Sequence, residues 1–246
     1  SQAVKQLQSL PNVITKRPAI SASFTELHIE QGPRLITSHD QIGLVSGIVG
    51  QRRWTVTVQG ESNHAGTTPM NERHDALQAA VTMISSLNQH AHQLSDNLTF
   101  TVGQLTVSPN TSNVIPGTVT FTIDARHADD HVLDVFEQSI NTIEHQLADP
   151  QIKVHFKRYV KDSPATFDTT LLSQNELIAQ QLRLTSRVMT SGAGHDSYVM
   201  NQVSPTTMIF VPSEGGISHA PNEFTQPADL KAGIALLMAS LQAQAY

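Results

Sequence analysis

The chain has no cysteine among its 246 residues. Disulfides and thiolate metal sites are therefore excluded, and any transition metal has to be held by histidine and carboxylate, a donor set that suits zinc. No run of about 18 apolar residues and no charged-then-apolar leader is present, so neither a membrane span nor a signal peptide is indicated. A soluble, cytoplasmic protein with no membrane partner is the expectation. Charge is sparse too: charged residues make up 15% of the chain, and the formal net charge of −6 is spread rather than gathered in blocks. That gives no reason to expect a nucleic-acid partner.

With 246 residues, 39% of them hydrophobic, the chain can bury a sizeable core as one large domain or two ordinary ones. Its twelve histidines are many for this length. His90, His92, His131 and His145 lie in helical or polar patterns and read as solvated positions.

Val4, Leu7 and Leu10 stand at near-helical spacing before Pro11, which predicts a short leading helix and a loop over residues 1–22. Phe24 to Ile29 alternates apolar and polar residues, predicting a strand in which His28 shares a face with Phe24, Glu26 and Glu30. Gly43, Gly47 and Gly50 punctuate the chain and mark a domain crossover. The pattern then reads strand 54–59, helix 74–90, strands 98–106 and 118–125, helix 130–147 and strand 152–159. This βαββαβ order predicts a ferredoxin-like domain, an antiparallel sheet with two helices on one face. Helix 170–184, the loop Ser191-Gly192-Ala193-Gly194-His195-Asp196, the apolar run Thr206–Val211 and helix 227–244 follow; the apolar run predicts a strand covered on both faces. The expected architecture is α/β: residues 1–45 and 164–246 are pieces of one α/β domain, interrupted by a smaller α+β domain at 46–163.

His28 and His219 fall at the ends of predicted buried strands, where open α/β sheets place ligand crevices. Each is a candidate metal ligand, with a satisfied core histidine as the alternative. Asn63-His64-Ala65-Gly66 either lets backbone approach a ligand closely or is a polar turn capping the next helix. Arg126, which with Asn113 flanks a hairpin-like connection, has the fork geometry for a substrate carboxylate; a surface salt bridge with Asp124 or Asp129 is the alternative. The Gly-rich loop 191–196 fits no phosphate-loop pattern. A two-metal hydrolytic site also needs bridging carboxylates and a general base. The chain contains no Glu-Glu pair, and its only His-x-Asp, His127-Ala128-Asp129, reads as a turn.

Four stretches carry a resemblance: Glu26-Leu27-His28-Ile29-Glu30-Gln31-Gly32-Pro33, Asn63-His64-Ala65-Gly66-Thr67-Thr68-Pro69, Asn113-Val114-Ile115-Pro116 and Ser213-Glu214-Gly215-Gly216-Ile217-Ser218-His219-Ala220-Pro221. In that order they resemble the dinuclear-zinc amidohydrolase and peptidase superfamily, in the branch of the allantoate amidohydrolases and N-carbamoyl-L-amino-acid hydrolases. The likeness runs from about Phe24 to the C-terminus. It implies that His28 and His219 each bind one of two metal ions, zinc or in its place manganese, cobalt or nickel. It implies that His64 reaches across a homodimer, formed through the small domain, to polarise the scissile carbonyl in the neighbouring site. Asn113 and Arg126 are then expected to hold the substrate carboxylate, Gln31 to contact its amide, and Gly192 to lend backbone N–H groups. His195 and Asp196 are expected to orient the metal shell. The two outer segments become part of the catalytic domain, and residues 46–163 its lid and dimerisation domain. The family's upstream His-x-Asp, bridging Asp and Glu-Glu pair have no counterpart here, where only 27 residues precede His28. The chain resembles the C-terminal portion of such an enzyme.

Two functions of different class follow. One is metal-dependent hydrolysis of a linear amide or ureido C–N bond in a small carboxylate-bearing substrate, with this chain inactive on its own. The other is a non-catalytic dimerisation or carboxylate-binding module. Related peptidases and deacylases commonly carry a carboxylate where this chain has His28, so the histidine points to the ureido-type branch.

Overall fold

The computed structural model describes residues 23–145 and 149–245. The expected leading helix and Leu147 lie outside the described residues, as do the side chains of Ile143 and His145. The chain divides into two compact units. One comprises the segments up to Ser46, Phe167–Met189 and Gly194 onward; the other comprises Gly47–Thr166 and Thr190–Ala193.

In the first unit β10 (Thr206–Val211) is buried along its whole length, as its apolar run predicts. β1 (Phe24–Ile29) pairs with it in parallel and sets His28 opposite Phe210. β2 (Ile42–Ile48) lies antiparallel on the other side, and β9 (Ser186–Ser191) pairs with it; the last two residues of β2, Gly47 and Ile48, already belong to the second unit and pair there with β8 (Ala165–Thr166). The glycine region thus holds a strand. A Cβ at Gly43 would stand 2.7 Å from Met189 Sδ and 2.9 Å from the Phe210 Cβ, so only glycine lets β2 approach its neighbours there. β1 differs from the expected buried strand. It is half-buried throughout, because among the described residues it is an outer strand paired with β10 alone. The short helix α1 (Arg34–Ser38) follows β1 and buries Leu35; helices α4 (Thr169–Gln181), capped by the Asp168 carboxylate, and α6 (Pro227–Ala245) set Ile178, Ala179 and Leu236 against Ile42, Ile209 and Val211. Leu230, Ile234, Met238 and Leu241 form an exposed apolar stripe on α6.

The second unit is an antiparallel sheet in the order β4–β6–β3–β7, with β5 also paired to β6. Its strands are β3 (Gly50–Gln59), β4 (Thr99–Thr101), β5 (Leu105–Ser108), β6 (Thr118–His127) and β7 (Lys153–Asp162). Helices α2 (Ala76–Leu94) and α3 (Asp130–His145) cover one face, packing Met83, Leu87 and Phe136 on Trp54, Val56 and Phe121. This is the split-βαβ order. The strand expected at 98–106 is interrupted at 102–104. β3 starts four residues before its apolar alternation, because Arg52, wholly buried, points to the helix side. There it bonds Asp130 Oδ1 at 2.5 Å, Asp134 Oδ1 at 3.1 Å and the Asp162 carbonyl at 2.8 Å. A buried guanidinium is tolerable only with such partners. No helix among the described residues is long and apolar enough to cross a membrane.

Candidate functional site

Glu26 and His28 are two residues apart on β1 and share a face, since side chains alternate along a strand. His195 joins them from the residue preceding α5 (Asp196–Met200), and one ligand atom of each lies within 4.8 Å of the others. The two imidazoles meet edge to face with centroids 4.6 Å apart, and Phe210 backs both rings. A carbonyl can only accept, so the 2.9 Å contact of His28 Nδ1 with Ile29 O puts the proton on Nδ1 and leaves the Nε2 lone pair available. Glu26 Oε2 accepts from Ser197 N at 2.8 Å and from the Ser197 hydroxyl. Burial first, then the charge of His28, pushes the His195 pKa below its ordinary value against the pull of Glu26 and Asp196. That shift favours the neutral imidazole, which is the ligating form. Two imidazoles and a carboxylate converging on one point are a zinc-type donor set, so the residues present fit such an ion.

His195, which the resemblance assigns to orienting the metal shell, stands beside Glu26 and His28 as one of the three residues whose ligand atoms converge. Glu26 is not among the ligands expected from the sequence, although the alternation already places it on the face of His28. Asp196 begins the first turn of α5, and its charge raises the His195 pKa against the effect of burial. His219 is not at a strand end, nor does it join this cluster. It lies eight residues past β10, at φ 57°, beside Gln31, which is itself at φ 58°. Gln31 Nε2 donates to Ser218 Oγ at 2.9 Å and makes a longer 3.4 Å contact with His219 Nε2. Glu223 Oε2 then accepts from Ser218 Oγ and from the His219 backbone N–H.

The remaining candidates belong to the second unit and fall into two pairs. His64 forms an isolated bridge with Val114, and Ala65 N donates to the Asn113 carbonyl at 3.0 Å, so His64 and Asn113 are neighbours. Arg126 donates through Nε and Nη2 to both oxygens of Asp124, each at 2.9 Å, and through Nη1 to the Gly192 carbonyl at 2.7 Å. The Asp124 bond is the first cause of the raised Arg126 pKa. Gly192 thus contributes its carbonyl here. The first pair lies beyond the Thr118 end of β6, where β5, β3 and β6 meet, whereas Arg126 lies eight residues along it, opposite Gln51. At about 3.3 Å per residue that is roughly 26 Å, far more than one small carboxylate can bridge. His127 and Asp129 form a turn into α3, with Asp129 N donating to His127 Nδ1.

A mixed sheet carrying a two-histidine, one-carboxylate cluster, in a chain that also holds a split-βαβ unit, is the arrangement of an α/β protein with a candidate metal site. The chain belongs to the peptidase family M20/M25/M40, matching it over residues 4–243; that family is generally metal-dependent. It is 42% identical over 240 residues to allantoate amidohydrolase of Escherichia coli (strain K12), a match spanning 97% of this chain and 58% of that protein. It is 39% identical over 222 residues to N-carbamoyl-L-amino-acid amidohydrolase of Paenarthrobacter aurescens, spanning 90% and 54%. Among solved structures, an amidase of the hydantoinase/carbamoylase family from Burkholderia multivorans superposes with a TM-score of 0.86 at 36% identity, over 90% of this chain and 54% of that one. The chain therefore spans a little over half the length of the relatives it matches.

Proposed function

We propose that the protein to which this chain belongs is a cytoplasmic, metal-dependent amidohydrolase that cleaves a linear amide or ureido C–N bond in a carboxylate-bearing substrate of the allantoate or N-carbamoyl amino acid type. The Glu26–His28–His195 cluster carries this reading, because it brings together two imidazoles and a carboxylate for a divalent cation, zinc before manganese, cobalt or nickel. When bound, such an ion supplies the Lewis acid that activates water and polarises the carbonyl. His28 offers Nε2 to it, and Glu26 is oriented by Ser197. His219, with Gln31 beside it, belongs to the second metal position and the substrate amide. The general base and the bridging carboxylates come from outside this chain, which alone is inactive. The side of β1 that is unpaired among the described residues and the apolar stripe of α6 are surfaces that such a segment would cover.

The protein acts as a homodimer through the second unit. Asn113 and Arg126 cannot hold one carboxylate within a single copy, so His64 and Asn113 of one copy complete the site that contains Arg126 of the other. The test is ammonia release from allantoate and N-carbamoyl amino acids by the whole protein loaded with zinc or manganese. Turnover abolished by His28→Ala is expected. Binding of these carboxylates without turnover under any metal would replace the hydrolase reading with that of a carboxylate-binding module.

A further inference from the structure

The loop that presents His64 is built more elaborately than a polar turn requires. His64 Nδ1 accepts two backbone N–H groups, Gly66 N at 3.0 Å and Thr67 N at 3.2 Å. Both can only donate, so Nδ1 must hold the lone pair and the ring proton must sit on Nε2, the exposed nitrogen. The loop curls back on the residue's own carbonyl, which accepts from Thr68 N at 3.2 Å and Thr68 Oγ1 at 2.8 Å. Gly66 leaves room for this: a Cβ there would lie 3.2 Å from His64 Cε1 and 3.5 Å from Nδ1.

Arg73, half-buried at the base of the loop, closes it. Its Nη2 donates to the Ala65 carbonyl at 2.6 Å and the Thr68 carbonyl at 3.0 Å, and its Nε to the Thr68 carbonyl at 3.1 Å. These carbonyls bracket the two peptides whose N–H groups face His64. We propose that Arg73 is a positioning residue that fixes His64 in the Nε2–H tautomer, so that the imidazole is a hydrogen-bond donor rather than a proton acceptor. A planar fork can span two carbonyls in one orientation, which an ammonium on a flexible stem does less well. The consequence for catalysis rests on the hydrolase reading: a donor aimed at a developing oxyanion must be in place before charge forms. The lock itself does not depend on that reading.

The test is long-range proton–nitrogen correlation NMR on the whole protein, with His64 assigned through His64→Gln. It needs neither metal nor substrate, so its failure is distinct from failure of the hydrolase proposal. The wild type is expected to show an unprotonated Nδ1 and a protonated Nε2. Arg73→Gln and Gly66→Ala should move both nitrogens toward the average of the two tautomers, with Arg73→Lys between. An averaged or Nδ1–H pattern in the wild type overturns the proposal. So does a wild-type pattern in Arg73→Gln whose amide spectrum remains native. Should Arg73→Gln fail to fold, Gly66→Ala decides, since it touches only the exposed loop: an unchanged His64 pattern there overturns the lock.

Discussion

Gln31 and His219, 188 residues apart in sequence, face each other at 3.4 Å, and each holds a left-handed backbone conformation that a side chain rarely adopts. The turn Gly215-Gly216 brings them together. Gly216 has φ 69°, and a Cβ on it would stand 2.9 Å from Pro33 N and 3.0 Å from Gly32 C, so the loop of His219 rests directly on the backbone that follows Gln31.

Gly216→Ala should therefore cost about 2 kcal/mol, from positive φ and backbone collision together. Gly215→Ala at φ 61°, whose Cβ meets only Ile217 at 3.4 Å, should cost about 1 kcal/mol. Urea unfolding of the two variants measures the difference. Equal costs would mean that close approach to Pro33 contributes nothing.

Arg52→Met is expected to lower stability by roughly 3 kcal/mol, because it removes the cation that Asp130, Asp134 and, at 3.8 Å, Glu137 surround. The value sits at the low end for a buried charge because the aspartates are partly exposed and can recover water. Lys161→Met, which removes a half-exposed cation near Asp134, should stay within about 0.5 kcal/mol of wild type. Chemical denaturation of both variants distinguishes a buried charge centre from a surface network.

The Asp124 carboxyl lies below the usual carboxylate range. Burial opposes its ionisation, but bonding and attraction from Arg126, then Arg53, outweigh that. The folded value is thus lower than the unfolded one. The resulting stabilisation is complete above the unfolded pKa of about 3.9 and is lost as pH falls through the depressed folded value. The gap in melting temperature between wild type and Asp124→Asn should close as the pH is lowered from 6 through that window. A gap that widens on acidification would contradict the assigned direction.

Some of this architecture is legible in the sequence alone. β10 and the apolar stripes of α2 and α3 announced themselves, since each buries a continuous apolar surface of the right period. Other features were hidden by residues whose chemistry runs against their local pattern. Gly43 and Gly47 read as breaks but serve close packing within β2, and nothing in the local pattern around Arg52 points to its partners, Asp130 and Asp134, about 80 positions away. In the site, alternation already put Glu26 on the face of His28, whereas the approach of His195 depends on a loop that no periodicity describes. The separation of Asn113 from Arg126 is a matter of strand register. Nearness in sequence, 13 residues, suggests the opposite.

That separation gives the most direct test of the composite site. In the whole protein, Asn113→Ala and Arg126→Ala should each abolish turnover when prepared alone. Mixed by joint refolding, half of the dimers would pair one variant with the other, and each such dimer would hold one intact site. Activity should then return to about a quarter of the wild-type value. A mixture no more active than its separate components, with heterodimers shown by mass spectrometry to have formed, would contradict a site shared between two copies.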